Sequence, residues 1–226
     1  SRVAHKYGAK MIVDTVSSLG GEEIDVVRDG IDVCVASANK CLHAFSGLAS
    51  ICVQKDAWRT IDGDAPRSYY FDLQRYRKYM NERRQTPFTP AVNTLMSLNA
   101  ALDELLEIGV SRRHKHYRRL SSHLRSGLES LGFNLLIDRE RCSHSLTLVE
   151  VTKGFCYHDI YQGLKDRGYI VYECKGELAG RYFQVANMGA FEEVHIDEFL
   201  MALDDYMTKT RIENKPEQAQ ASLRVV

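Results

Sequence analysis

Apolar residues in this chain gather in short compact runs, separated by stretches with helical spacing. KMIVD (10–14), IDVCVAS (31–37) and LASICVQ (48–54) are near-continuous in Val, Ile and Cys. Runs of that kind predict buried strands covered on both faces, the pattern of parallel-type α/β sheets. EEIDVVRDG (22–30) reads as a connector with some helical content, closed by Gly30. Residues 59–90 hold Pro66, Pro87 and Pro90; part is helical, but TPFTP (86–90) is not. Each proline pushes its predecessor to extended geometry, so Thr86 and Thr89 sit in a stiff loop. A helix follows over about 91–108, with Val92, Leu95, Met96, Ala100 and Leu102 as its apolar positions. A second spans about 111–131, with Ser111 as N-cap and Gly132 just past its end.

The pattern then restarts. FNLLI (133–137), SLTLVEV (145–151), YIVYE (169–173) and YFQVAN (182–187) read as strands. FCYHDIYQGLKDRG (155–168) reads as a helix stopped by Gly168. EEVHIDEFLMALDDYMTK (192–209) is a helix with a stripe of Val194, Ile196, Phe199, Leu200, Leu203 and Tyr206. The expected organisation is therefore α/β. Residues 1–108 form the C-terminal part of a large domain, and 109–131 a linking helix. Residues 132–212 form a small α+β domain, and 213–226 a polar tail. The opening residues, SRVAHKYGAKMIVD, read as a helix end running into a strand, so the chain reads as beginning inside a fold.

Composition narrows the function classes. The hydrophobic fraction is 44% and the charged fraction 27%, ordinary values for a soluble globular protein. The formal net charge is zero, which removes the bulk electrostatic argument for nucleic acid or an anionic membrane as partner. The one basic cluster, RRHKHYRRL (112–120), reads as the solvated face of a helix. No apolar stretch approaches the ~20 residues that span a bilayer, and no secretory signal opens the sequence. Six cysteines without a CxxC pair suit a reducing cytoplasm.

Two residues carry candidate chemistry. Asp14 ends one strand run, and Lys40, in ASANKCLHAF (36–45), follows the next. Neighbouring strand ends are where α/β sheets place functional groups. A carboxylate and an amine on one sheet edge are what pyridoxal phosphate requires: the lysine for its Schiff base, the acid to keep the pyridinium nitrogen protonated. An N-cap aspartate and a solvated lysine would give the same spacing.

VDTVSSLGG (13–21) followed by SANKC (37–41) resembles the core of the class V aminotransferases of fold type I, and within them the 2-aminoethylphosphonate–pyruvate transaminases. TPFTP (86–90), GYIVYECKG (168–176) and YFQVANMG (182–189) resemble later family segments, in the same order. The resemblance implies the later part of a fold type I large domain plus the small C-terminal domain, with pyridoxal 5'-phosphate as cofactor. It implies Lys40 as the Schiff-base lysine and Asp14 as the partner of the pyridine nitrogen. Ser17 would either contact the cofactor's phenolic oxygen or shape the turn. Ser37 would bind the cofactor phosphate, and Thr89 would reach a phosphate across a homodimer interface. The activity implied is transamination of a small aminophosphonate, 2-aminoethylphosphonate-like, with pyruvate as amino acceptor, in the cytoplasm. The alternatives are a lyase acting on a related aminophosphonate, or an inactive fragment serving as a dimerising module.

The sequence departs from the family at three places. Gln184 stands where the family has a carboxylate-binding arginine, and Arg181, three residues earlier, is the nearest substitute. HAFSG (43–47), after the lysine, lacks the family's Gly and Pro. The family's N-terminal portion, with its glycine-rich phosphate turn, has no counterpart here, so the chain reads as one part of a longer polypeptide. His43 reads as a loop histidine packing locally. His116 and His123 share a helix face, with no acid or cysteine completing a metal set. Tyr69, Tyr70 and Phe71 read as core.

Overall fold

The structure is a computed structural model that describes residues 1–213, with side chains to residue 210. The polar tail expected over 213–226 lies outside the described residues from 214 onward. The described residues form two compact units, one of Ser1–Tyr117 and one from Arg118 onward, whose boundary falls inside one long helix.

In the first unit, α1 (Arg2–Lys6) leads into β1 (Ile12–Asp14), β2 (Val33–Ser37) and β3 (Ala49–Val53). A 3₁₀ turn (Lys55–Ala57), α2 (Trp58–Gly63), α3 (Leu73–Arg83), α4 (Val92–Ile108) and the start of α5 (Val110–Ser130) follow. β1 and β2 are parallel, pairing Ile12 with Val33 and Asp14 with Val35. β3 is antiparallel to β2, pairing Val33 with Val53. A parallel partner needs a crossover, usually helical, and the residues between β2 and β3 contain no helix, so the chain can only turn back.

Burial also differs from the sequence reading. Cys34 and Ala36 of β2 are buried, but Ile12 on β1 and Ile51 on β3 are 66% and 44% exposed. An apolar run makes a strand fit to be covered on both faces; it does not place the covering residues. The small cluster beside this sheet is Ala38, Ala44 and Ala101, with Leu48 and Leu98 packed on it. Tyr69, Tyr70 and Phe71 are exposed rather than core. They lie in irregular chain ahead of α3, and Tyr69 and Tyr70 pack against Phe88 at ring distances of 5.6 and 5.0 Å.

Asp32 anchors the start of this sheet. Its buried carboxylate accepts from Met11 N–H at 2.8 Å, His5 Nε2 at 2.7 Å and Lys10 Nζ at 3.3 Å. The Met11 amide foremost, then His5, holds its pKa down to about 2 against burial. A carboxyl depressed in the folded state contributes stability above its unfolded value and loses it as pH falls through the folded one. Asp32→Asn is therefore expected to lower the urea midpoint at pH 7. That difference from the parent should shrink from about pH 4 and vanish near pH 2. A difference independent of pH would mean that the carboxylate charge contributes nothing.

The second unit has its own core. α5 contributes Leu120, Leu124 and Leu128 at helical spacing, and all three are essentially inaccessible. They meet Val149 of β4 (Leu146–Glu150), Ile160 and Leu164 of α6 (Tyr157–Lys165), and Phe183 of β6 (Tyr182–Ala186). Leu203 of α7 (Glu193–Glu213) completes the set. β5 (Tyr172–Glu173) lies on the other side of β6, giving an antiparallel sheet in the order β4-β6-β5. A Cβ on Gly163 would come within 2.2 Å of the Tyr206 ring, so α6 and α7 approach where only glycine fits.

FNLLI does not form a strand. It makes one bridge, Leu135 to Val149, while Phe133 turns into the core and packs edge-on against Phe183. YIVYE is reduced to two strand residues, Tyr172 and Glu173, while Val171 is buried in the core.

Candidate cofactor site around Lys40

Because β1 and β2 are parallel neighbours, their C-terminal ends lie on the same edge of the sheet. Asp14 ends β1 and is exposed; its Oδ1 accepts from Val16 N–H at 2.8 Å, a local turn bond. Thr15, next to it, is buried and tied to β2: its amide and hydroxyl both donate to Val35 O, at 2.7 and 2.9 Å. That fixes the turn 15–18 against the end of β2. Ser37, the last residue of β2, donates from its hydroxyl to Val16 O at 3.1 Å. Lys40 then reaches back: Nζ donates to Ser17 Oγ at 2.8 Å, and Cys41 Sγ donates to Ser17 O at 3.3 Å. Gly20 and Gly21 allow this approach, since a Cβ on either would fall 2.8 Å from Cys41 O or Sγ.

Lys40, Ser17, Ser37 and Asp14 thus belong to one hydrogen-bonded pair of turns. Thr89 is exposed, and among the described residues no hydrogen bond joins it to that pair; Thr86 is the one bonding locally, to Phe88 O at 2.6 Å. Gln184 and Arg181 belong to the second unit. Gln184, on β6, donates from Nε2 to Glu173 O at 3.0 Å. Arg181 is exposed, with its guanidinium 5.6 Å from the Tyr182 ring centre.

The donor set fits pyridoxal phosphate. Lys40 is half-buried, its hydrogen bond is to a neutral hydroxyl, and no carboxylate pairs with it among the described residues. A Schiff base forms from such an amine through its nitrogen lone pair. Asp14 keeps a carboxylate oxygen outside its turn bond and ends the neighbouring strand on the same sheet edge.

One group of residues behaves differently from the sequence reading. The basic stretch 112–120 is not wholly a solvated face. Arg113 is 4% exposed and Tyr117 1%. Arg113 pairs with Glu104 at 2.9 Å and donates to His43 Nδ1 at 2.9 Å, while His43 Nε2 meets Tyr117 Oη at 2.8 Å. The signal was in the spacing: Arg113, Tyr117, Leu120 and Leu124 recur at intervals of four and three, one continuous helix face. His114 bonds to Gly21 O and His123 to Asp197.

The fold of the chain is that of part of a fold type I aminotransferase. The sequence matches the family Aminotransferase class-V over residues 1–186, and the chain belongs to that family. It is 39% identical over 197 residues to an uncharacterized aminotransferase of Methanocaldococcus jannaschii, covering 86% of this chain and 51% of that protein. It is 31% identical over 211 residues to the 2-aminoethylphosphonate–pyruvate transaminase of Klebsiella pneumoniae, covering 92% and 57%. Among solved structures, the alanine–glyoxylate aminotransferase of Nostoc sp. superposes with a TM-score of 0.87 at 24% identity, covering 91% and 56%. The pyridoxamine–pyruvate aminotransferase of Mesorhizobium loti does so with 0.87 at 25%, covering 93% and 55%. The chain spans about half the length of the curated relatives it matches. Family membership implies pyridoxal 5'-phosphate as the cofactor.

Proposed function

We propose that the protein catalyses transamination of a small aminophosphonate with pyruvate as amino acceptor, using pyridoxal phosphate held at Lys40. The observation that carries this reading is the Lys40 amine, bonded to Ser17 Oγ at 2.8 Å at the sheet edge that Asp14 also occupies. Similarity to the 2-aminoethylphosphonate–pyruvate transaminases supports the substrate class. When bound, pyridoxal phosphate supplies the electron sink for the substrate's Cα. Lys40 would hold it and move the proton at Nζ. Asp14 would keep the ring nitrogen protonated, Ser17 would orient Nζ, and Ser37 would take the phosphate. Thr89, in its proline-stiffened loop, would add a phosphate contact across a homodimer interface. Six free cysteines suit the cytoplasm as the compartment. The test is product identity. Incubation with 2-aminoethylphosphonate and pyruvate should form alanine without ammonia. Ammonia without alanine would replace this reading with a lyase.

In this reading Gln184 and Arg181 recognise the acceptor's carboxylate. A glutamine has neither charge nor a bidentate fork, and the Gln184 amide already serves Glu173 O. Gln184→Arg is therefore expected to lower KM for pyruvate by about tenfold, with a smaller effect on kcat. An unchanged KM would remove position 184 from acceptor binding.

A further inference from the structure

We infer that His43 is a positioning residue for the Lys40 turn, clamped by Arg113 and Tyr117 of α5. This rests on the reading of Lys40 as the cofactor lysine. His43 N–H donates to Lys40 O at 2.9 Å and so closes the turn that begins at the lysine itself. The next amide, Ala44 N–H, donates to Ala38 O at 2.9 Å, and Phe45 N–H donates to Ser97 Oγ on α4 at 3.0 Å. Any movement of residue 43 is therefore passed directly to the Lys40 backbone.

The backbone at His43 is left-handed, with φ 65°. A side chain there has a cost that glycine avoids. Something must hold it, and two side-chain hydrogen bonds do. Arg113 Nη1 donates to the ring, 2.9 Å from Nδ1 and 3.3 Å from Nε2, and Nε2 is hydrogen-bonded to Tyr117 Oη at 2.8 Å. Both anchors are buried, and Glu104 fixes the far side of the Arg113 guanidinium. Burial and the Arg113 charge push the imidazole pKa down. The ring stays neutral, as acceptance from a guanidinium requires. Preorganisation of this kind lowers what ordering the lysine costs when the cofactor arrives.

The test uses the protein without cofactor. Trace acylation with acetic anhydride, read lysine by lysine by mass spectrometry, reports how firmly each amine is held. His43→Gly preserves the left-handed turn and removes the clamp. Lys40 should then acylate several-fold faster, while exposed Lys55 and Lys165 should not change. Borohydride trapping of added pyridoxal phosphate on Lys40 should slow, and free imidazole should restore both rates. Tyr117→Phe, which deletes one hydroxyl, should shift both rates in the same directions by less. If all lysines of His43→Gly acylate faster, the fold has loosened, and Tyr117→Phe decides. Unchanged Lys40 acylation in a folded variant overturns the clamp. Failure of borohydride to label Lys40 in the parent would overturn the cofactor reading instead, while the acylation comparison would still judge the clamp.

Discussion

Replacing Lys40 with alanine is expected to abolish borohydride-stable attachment of pyridoxal phosphate and to lower transamination by about a thousandfold or more. The magnitude follows from the two roles proposed for the residue: Nζ would form the bond that holds the cofactor, and would move the proton on the substrate's Cα. No neighbour can take over. Ser17 Oγ, 2.8 Å from Nζ, is a hydroxyl and forms no Schiff base, and Cys41 Sγ donates to Ser17 O. Stability should change little, since Lys40 is only half-buried and pairs with a neutral group. Turnover near the parent level would remove Lys40 from the chemistry. Addition of a small primary amine should restore part of the proton transfer in Lys40→Ala, but not the covalent attachment.

The largest expected effect on stability is at Phe183. Its side chain is wholly inaccessible on β6, opposite Val149 in the sheet register and edge-on to Phe133, with ring centres 6.4 Å apart. Phe183→Ala removes that packing and leaves a cavity between the sheet and its helices. A loss of about 3–5 kcal/mol is expected, enough to unfold much of a marginally stable unit. Urea denaturation followed by circular dichroism measures it. Amide exchange should accelerate in α6 and α7, which close over that core. A loss below about 1 kcal/mol would mean that the surrounding side chains collapse into the space.

Much of the fold was legible because burial leaves a periodic mark. The runs at 31–37 and 48–54 became β2 and β3, and the stripe beginning at Val194 became α7. The helices at 92–108 and 110–130 fall within a residue or two of their expected bounds. The failures share a cause. FNLLI and YIVYE have strand composition, but strand pairing depends on a neighbouring edge far away in sequence, and only Leu135, Tyr172 and Glu173 find one. β3 runs antiparallel because of the helix-free connection before it, not because of its own residues. Tyr69, Tyr70 and Phe71 are as apolar as core residues and are exposed.

The site divides in the same way. Sequence by itself determined that Asp14 and Lys40 follow neighbouring strand runs, and the resemblance to the family implied a use for such a pair. Local chemistry is enough for that, because strand ends and turns are written in consecutive residues. Only the tertiary structure decided that Ser17 holds the Lys40 amine, or that Cys41 closes onto the same turn. It alone recruited Arg113 and Tyr117, from a stretch that reads as a solvated basic helix, to grip His43. The reason is that a side chain's partner depends on which distant surface the fold lays beside it. A lysine or an arginine carries the same charge in the sequence whether it ends in water or against an imidazole.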